Sequence, residues 1–332
     1  MHQPAKWATR LSRRGISYQV LEHQVPRIPD DLLRCVVYLY PSEAAAEDGE
    51  RTGGSGFLVG VHIPFVQPPQ GFLICVVTNK HVIDRGSMVV RINTHDGSSD
   101  IIALDGHHWY LHPGGDDIAV CPIGLNHLHH KFSFIAYNQF ATREILEMYD
   151  VGPGDEVFIP GRFIGRDGRQ KNTPTVRFGN IAQMPGEPII SEGRPQESYL
   201  VEARSIPGYS GAPVFLHFSP EHPEVEWPEG MPNKPQRSKR PKIRSRIDPF
   251  LLGIDWCHLL DREKPRSDVD DEPLREIEWH VRTNTGMKGF IPVWRLWDVF
   301  ESPEMKVLRD QLAEQVTKKP ENVALDDEHS SK

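Results

Sequence analysis

Three short stretches of this chain bring together side chains suited to hydrolytic chemistry. TNKHVI (Thr78–Ile83) offers His81, GGDDIAV (Gly114–Val120) offers an acidic pair before an apolar run, and PGYSGAPVF (Pro207–Phe215) offers Ser210 between glycines. A serine hydroxyl is a weak nucleophile at neutral pH. It needs a base within hydrogen-bond reach, and imidazole has a suitable pKa. The imidazole needs a carboxylate to hold one tautomer, a role open to Asp116 or Asp117. An attacked carbonyl becomes an oxyanion and needs preorganised donors. Gly208, two residues before Ser210, lets the backbone turn so that its N–H and that of Ser210 aim at one spot, while Gly211 and Ala212 keep the surroundings small.

These stretches need rigid elements to carry them. Apolar and β-branched runs of strand length recur along the chain: Leu33–Tyr40, Gly56–Val61, Phe72–Thr78, Met88–Ile92, Ile101–Leu104 and Ile118–Ile123. A His-rich stretch with a helical period, Leu125 to Asp150, reads as a connector. Strand-like runs resume at Glu156–Pro160, Thr175–Ile181, Ser198–Ala203, Pro213–Phe218, Phe250–Trp256 and Gly289–Val293. Arg295–Val299 and Glu304–Val316 read as helices, and the polar tail after Lys318 as disordered. Many short strands with turns between them predict an all-β fold of barrels or sandwiches, ending in a helix. Residues 219–249, rich in Pro and charge, and residues 261–279 hold too little apolar surface to offset ordering entropy, so they read as surface inserts.

At 332 residues and 38% hydrophobic content, the chain can bury a sizeable core. The net charge of −8 gives no global attraction to nucleic acid, and the basic run Lys234–Arg246 reads as a solvated loop. No apolar run reaches the roughly 20 residues of a spanning helix, and the first residues lack a secretory h-region, so a cytoplasmic location is expected. Cys35, Cys75, Cys121 and Cys257 are isolated, which predicts free thiols. The spacing of His107, His108, His112, His127, His129 and His130 fits no zinc pattern, so neither metal nor organic cofactor is expected. Ser55, also between glycines, reads as a turn residue.

The chain resembles the trypsin/chymotrypsin-like serine peptidases, closest in style to bacterial HtrA-type proteases without a PDZ domain. The matching stretches are GSGFLVG (Gly54–Gly60), VVTNKHVI (Val76–Ile83), DIAV (Asp117–Val120), GDEVFIPG (Gly154–Gly161), IPGYSGAPVF (Ile206–Phe215), LLGIDW (Leu251–Trp256) and GFIP (Gly289–Pro292). The His…Asp…Ser order is that of the family. The resemblance implies two antiparallel six-stranded β-barrels with a C-terminal helix. It divides the chain into an N-terminal arm (1–30), a first lobe (31–127), a connector (128–152), a second lobe (153–300), and a helix with tail (301–332). It implies a serine endopeptidase with His81 as base, Asp117 as orienting acid and Ser210 as nucleophile. The N–H groups of Gly208 and Ser210 would form the oxyanion hole. Arg204, Tyr209, Ile254, Asp255 and Trp256 would contact substrate.

Arg204 falls at the family's pocket base and implies a taste for acidic residues, with surface exposure or pairing to Glu202 or Asp255 as alternatives. GYSGAP departs from the family's GDSGGP and GNSGGP, so Tyr209 rules out the ion pair that follows zymogen clipping in digestive enzymes. The implied partner is a polypeptide substrate, with an activating protein as a second where the inserts guard the cleft. Two other functions remain open: a peptidase-like module that binds peptide without turnover, and an esterase using the same triad.

Overall fold

The structure is a computed structural model describing residues 28–66, 71–165, 168, 170–191, 193–204, 207–217, 249–263 and 281–318. The arm before residue 28, the tail after 318, all but Pro249 of the first insert, and the second insert beyond Glu263 lie outside the described residues.

In chain order, α1 (Asp30–Arg34) leads into β1 (Val36–Tyr40), and α2 (Glu43–Asp48) into β2 (Gly54–His62). Ser42 caps α2 through its hydroxyl and Gly49 ends it at φ 62°. β3 (Phe72–Thr78), α3 (Lys80–Asp84), β4 (Val89–Asn93), β5 (Ser99–Ala103), β6 (Tyr110–Leu111) and β7 (Ala119–Pro122) follow. β8 (Ile135–Ala136) and α4 (Arg143–Met148) occupy the connector. Then come β9 (Glu156–Gly161), β10 (Thr175–Gln183), β11 (Ile189–Ser191), β12 (Arg194–Gln196), β13 (Tyr199–Glu202) and β14 (Pro213–His217). The long strands β15 (Leu251–Glu263) and β16 (Val281–Pro292) precede α5 (Val293–Phe300) and α6 (Pro303–Lys318).

The strands do not form two barrels. β9, β10, β13, β16, β15 and β14 close into one six-stranded barrel, whereas the first half is an open eight-stranded sheet ordered β5-β4-β1-β2-β3-β7-β6, with β8 beside β2. β11 and β12 form a separate two-stranded ribbon. The expected first barrel fails at its edges. Among the described residues β6, two residues long, pairs through Tyr110 and Leu111 with β7 alone, and β5 pairs with β4 alone. Closure requires every strand edge to find a partner in a staggered register. Runs of strand length carry no information on whether distant edges meet.

Apolar residues of both halves share one core, in which Tyr38, Phe57 and Val77 pack with Phe158, Phe215 and Ile254. Polar groups cross the same boundary. The fully buried Arg162 guanidinium donates to the carbonyls of Leu39 (3.3 Å), Thr52 and Glu50 (2.5 Å), and lies 4.0 Å from the Tyr40 ring centroid. Arg91, also fully buried, donates to Asn172 Oδ1 (2.9 Å), to the Ala46 carbonyl (2.9 Å) and to the Gly168 carbonyl (2.7 Å). A guanidinium has five donors in a planar fork, so it can satisfy several buried carbonyls at once while its face stacks on tyrosine.

Truncating Arg162 would leave those carbonyls without their donor. Arg162→Met is therefore expected to lose about 3 kcal/mol or more of stability, read as a lower urea midpoint. A midpoint equal to wild type would show that the boundary does not depend on this side chain.

Candidate functional site

β3 ends at Thr78, and the chain turns at once into α3, whose second residue is His81. Asn79 precedes the helix and donates from Nδ2 to the Asp117 carbonyl at 2.9 Å, which ties α3 to the start of β7. Asp117 is buried, and His81 is half-buried with 12% of its side chain exposed. The Asp117 carboxylate uses both oxygens on His81: Oδ2 lies 2.5 Å from Nδ1, and Oδ1 accepts the His81 backbone N–H at 2.8 Å. An ionised carboxylate only accepts, so Nδ1 carries the proton and Nε2 presents a lone pair.

Asp116 points elsewhere. It bonds Arg295 Nε on α5 and lies 3.7 Å from His112 Nδ1. Burial pushes its carboxyl up, but hydrogen bonds from Arg295 and Gln196 and the nearby His112 outweigh that and leave it below its ordinary value.

Ser210 sits in the turn before β14, between Gly208 at φ 103° and Gly211 at φ 85°. A β-carbon at Gly208 would meet the Arg162 carbonyl and Ile164, and one at Gly211 would meet the Ser55 carbonyl and the Thr78 hydroxyl. The three carbonyls around the serine are each held. Gly208 O accepts from Ser55 Oγ at 2.6 Å, Tyr209 O from the Ala212 N–H at 2.7 Å, and Ser210 O from the Ser55 N–H at 2.9 Å. Ser55 is thus a fully buried strand residue of β2, not the turn residue expected. The glycines beside it suggested a turn, whereas in β2 they admit close neighbours: a β-carbon at Gly54 would touch Val82 and the Ser210 carbonyl, and one at Gly56 would touch Leu39 and the Val77 carbonyl.

His81, Asp117 and Ser210 line one cavity of about 490 Å³, walled also by Trp256, His258 and Arg194. Among the described residues no hydrogen bond joins Ser210 Oγ to His81.

The other expected contact residues are dispersed. Trp256 reaches the cavity and donates from its indole N–H to Ser198 Oγ at 2.9 Å. Ile254 is buried in the shared core. Tyr209 is fully buried, its hydroxyl 2.5 Å from Thr175 Oγ1 and donating to the Thr175 carbonyl at 3.1 Å. Gly161 makes room for that ring, because a β-carbon there would strike it. Asp255 is buried and ion-paired to the equally buried Lys288 Nζ. Desolvation pushes its carboxyl up against the pull of Lys288. Arg204 lines a different cavity, with Glu156, Phe178, Glu202 and His217.

The β11–β12 hairpin was not expected at the site. Gln196 accepts the Asp117 N–H at 3.0 Å, and Arg194 Nη1 lies 3.9 Å from Asp117 Oδ1. Its only sequence signal was a glycine turn between two short runs. His258 also lines the cavity, and desolvation holds its imidazole below the usual value although Asp255 opposes this.

Among the described residues, Asp100, His129 and His130 bring ligand-type atoms within 4.8 Å of one another. His130 Nδ1 accepts the Asn126 N–H at 2.9 Å, so its Nε2 carries the proton and donates to Asp100 Oδ2 at 3.0 Å. Both ring nitrogens are therefore in use, which fits a hydrogen-bonded surface cluster better than a metal centre. That bond is also the main cause of the lowered Asp100 carboxyl.

No protein-family model matches this chain, and no curated protein matches it. Solved structures give weak likenesses. The MamO protease domain from Magnetospirillum magneticum is 14% identical with a TM-score of 0.46, covering 82% of this chain and 98% of its own. Deg5 is 15% identical with a TM-score of 0.39, covering 69% and 81%. An inactive serine-to-alanine form of Rv3671c from M. tuberculosis H37Rv is 14% identical with a TM-score of 0.39, covering 87% and 90%. Likeness at this level assigns no activity.

The lowered carboxyl of Asp116 gives a signed pH effect. A depressed folded value means the group contributes stability above its ordinary value of 3.8 and loses it as pH falls through the lower folded value. Asp116→Asn is thus expected to lower the urea midpoint at pH 7, with the gap to wild type closing as pH drops below 3.8. A gap independent of pH would place the effect in packing instead.

Proposed function

We propose that this protein is a serine-type endopeptidase of the trypsin-like class. One observation carries the reading: the His81–Asp117 pair and the Ser210 turn come from different sheets and face one cavity. Two glycines at positive φ let that turn form, and three tied carbonyls hold it.

The chemistry uses the chain's own groups. Ser210 Oγ attacks the scissile carbonyl while His81 Nε2 takes its proton. The tetrahedral intermediate collapses, the C–N bond breaks, and His81 returns the proton to the leaving amine. Water, deprotonated by His81, then attacks the acyl-enzyme, the ester C–O bond breaks, and His81 returns the proton to Ser210 Oγ as the acid leaves. Asp117 holds the tautomer throughout. The N–H groups of Gly208 and Ser210 receive the oxyanion. A trans peptide sets N–H opposite C=O, so the tie from Tyr209 O to Ala212 turns the Ser210 N–H the other way. The hydroxyl-to-imidazole bond, absent here, is one that tightens on substrate binding in such sites. The substrate is a polypeptide, with Trp256 and His258 in the cavity wall beside it. Four buried free thiols fit a reducing compartment, and we place the protein in the cytoplasm on that ground.

A second reading is a cleft that holds peptide without turnover. It is favoured by the missing Ser210–His81 bond and by Arg194 beside the Asp117 carboxylate.

Fluorophosphonate labelling near pH 7.5 separates the two. Wild type is expected to label and Ser210→Ala not at all. Asp117→Asn is expected to label about 10³–10⁴-fold more slowly, the loss that follows from the wrong tautomer in such triads. Folded wild type that stays unlabelled would favour the binding module.

A further inference from the structure

We infer that Ser55 is a positioning residue for the oxyanion turn, and that its hydroxyl sets the direction of the Gly208 carbonyl. This rests on the endopeptidase reading above and deepens it.

Ser55 belongs to β2 of the open sheet, 155 residues before the nucleophile in sequence (210 − 55). It is fully buried, and four hydrogen bonds meet on it. Its N–H donates to Ser210 O at 2.9 Å, and its carbonyl accepts from Thr78 Oγ1 at 2.8 Å. Its Oγ accepts the Arg162 N–H at 2.9 Å and donates to Gly208 O at 2.6 Å. The last two bonds decide one another. An amide N–H can only donate, so it takes a lone pair of Oγ and leaves the hydroxyl proton for Gly208. The hydroxyl therefore has one orientation, imposed by the backbone of the barrel.

The consequence lies in the turn. Gly208 carries no side chain, and its φ of 103° lies where glycine moves freely. The peptide between Gly208 and Tyr209 turns about ψ of Gly208, which no β-carbon restricts, and about φ of Tyr209. A tilt of that peptide changes the link between Gly208 and Ser210, whose N–H groups the endopeptidase reading assigns as the oxyanion donors. Among the described residues, Ser55 Oγ–H is the donor that holds the Gly208 carbonyl. Thr78, three residues before His81, anchors Ser55 in turn, so the strand leading to the base also fixes the residue that shapes the turn of the nucleophile.

The test is Ser55→Ala, which deletes the hydroxyl and keeps the N–H to Ser210. The probe is a fluorophosphonate, whose phosphoryl oxygen takes the oxyanion position. It is applied over a concentration series to folded protein, with folding checked by circular dichroism. The expected result is a saturating inactivation rate at least tenfold slower, with the half-saturating probe concentration little changed, since oxyanion donors act in the transition state. Ser55→Thr, which keeps a hydroxyl, is expected to recover most of the rate. Ser55→Gly removes the same hydroxyl without adding bulk and serves where the alanine variant folds poorly. An unchanged saturating rate in a folded hydroxyl-deleted variant overturns the inference, as does a loss confined to half-saturation. Unlabelled wild type is a different result and overturns the endopeptidase reading itself.

Discussion

His81 and Ser210 follow strands of different sheets, so the cavity they share exists only while the open sheet and the barrel keep one relative placement. The shared apolar core favours contact between them, but burial of apolar area is non-directional and tolerates sliding. Hydrogen bonds do not, because they weaken steeply with angle and distance. The placement is therefore set by the polar bonds that cross the boundary. Ser55 reaches the Ser210 turn, Arg162 reaches the carbonyls of Leu39, Thr52 and Glu50, and Arg91 reaches Gly168 and Asn172. Arg162 takes part twice, since its own N–H orients the Ser55 hydroxyl while its guanidinium clamps the segment leading into β2.

A second buried charge lies behind the same turn. Gly211 N–H donates to Asp255 O at 2.8 Å, and Asp255 N–H donates to Ala212 O at 3.0 Å, so Asp255 is paired to the turn through its backbone. Its carboxylate goes to Lys288, whose ammonium lies 5.2 Å from the Tyr209 ring centroid. A buried ion pair adds little net stability over an apolar pair of the same shape, because desolvation offsets the attraction. Its effect is directional: with Lys288 on β16 and Asp255 on β15, other registers of these strands would strand a charge. Tyr209 is itself uncharged, and the charge under the turn comes from two strands of the barrel.

The parts of the site legible in sequence were those encoded within a few residues. A β-branched run ending in TNKHVI, an acid before IAV, and a serine between glycines each carry their own local signal. The helices Val293–Phe300 and Pro303–Lys318 were legible for the same reason, as periodic segments near the end of the chain. What was not legible is non-local. Closure of one sheet and not the other depends on edges that meet or miss. β6, β8, β11 and β12 are two or three residues long, too short to show a period. Lys288 lies in a polar-looking TNTGMKG run that gives no hint of burial beside an acid 33 positions earlier. Arg204 lines another cavity of the barrel, a placement that counting back from the serine does not reveal because it assumes a loop length.

The acid shows the same dependence on both halves of the molecule. Asp117 lies two residues before β7 of the open sheet, and His81 and Asn79 bind it from the same half. Its N–H, however, is held by Gln196 and its Oδ1 is neighboured by Arg194, both on the β11–β12 hairpin. The Arg194 guanidinium, 3.9 Å from the carboxylate, is in competition with His81 for it. About half of Arg194 is exposed, so water and salt screen that competition. The hairpin thus brings a charge from the second half of the chain to an acid carried by the first, through a half-exposed side chain in the wall of the cavity that His81 and Ser210 also line.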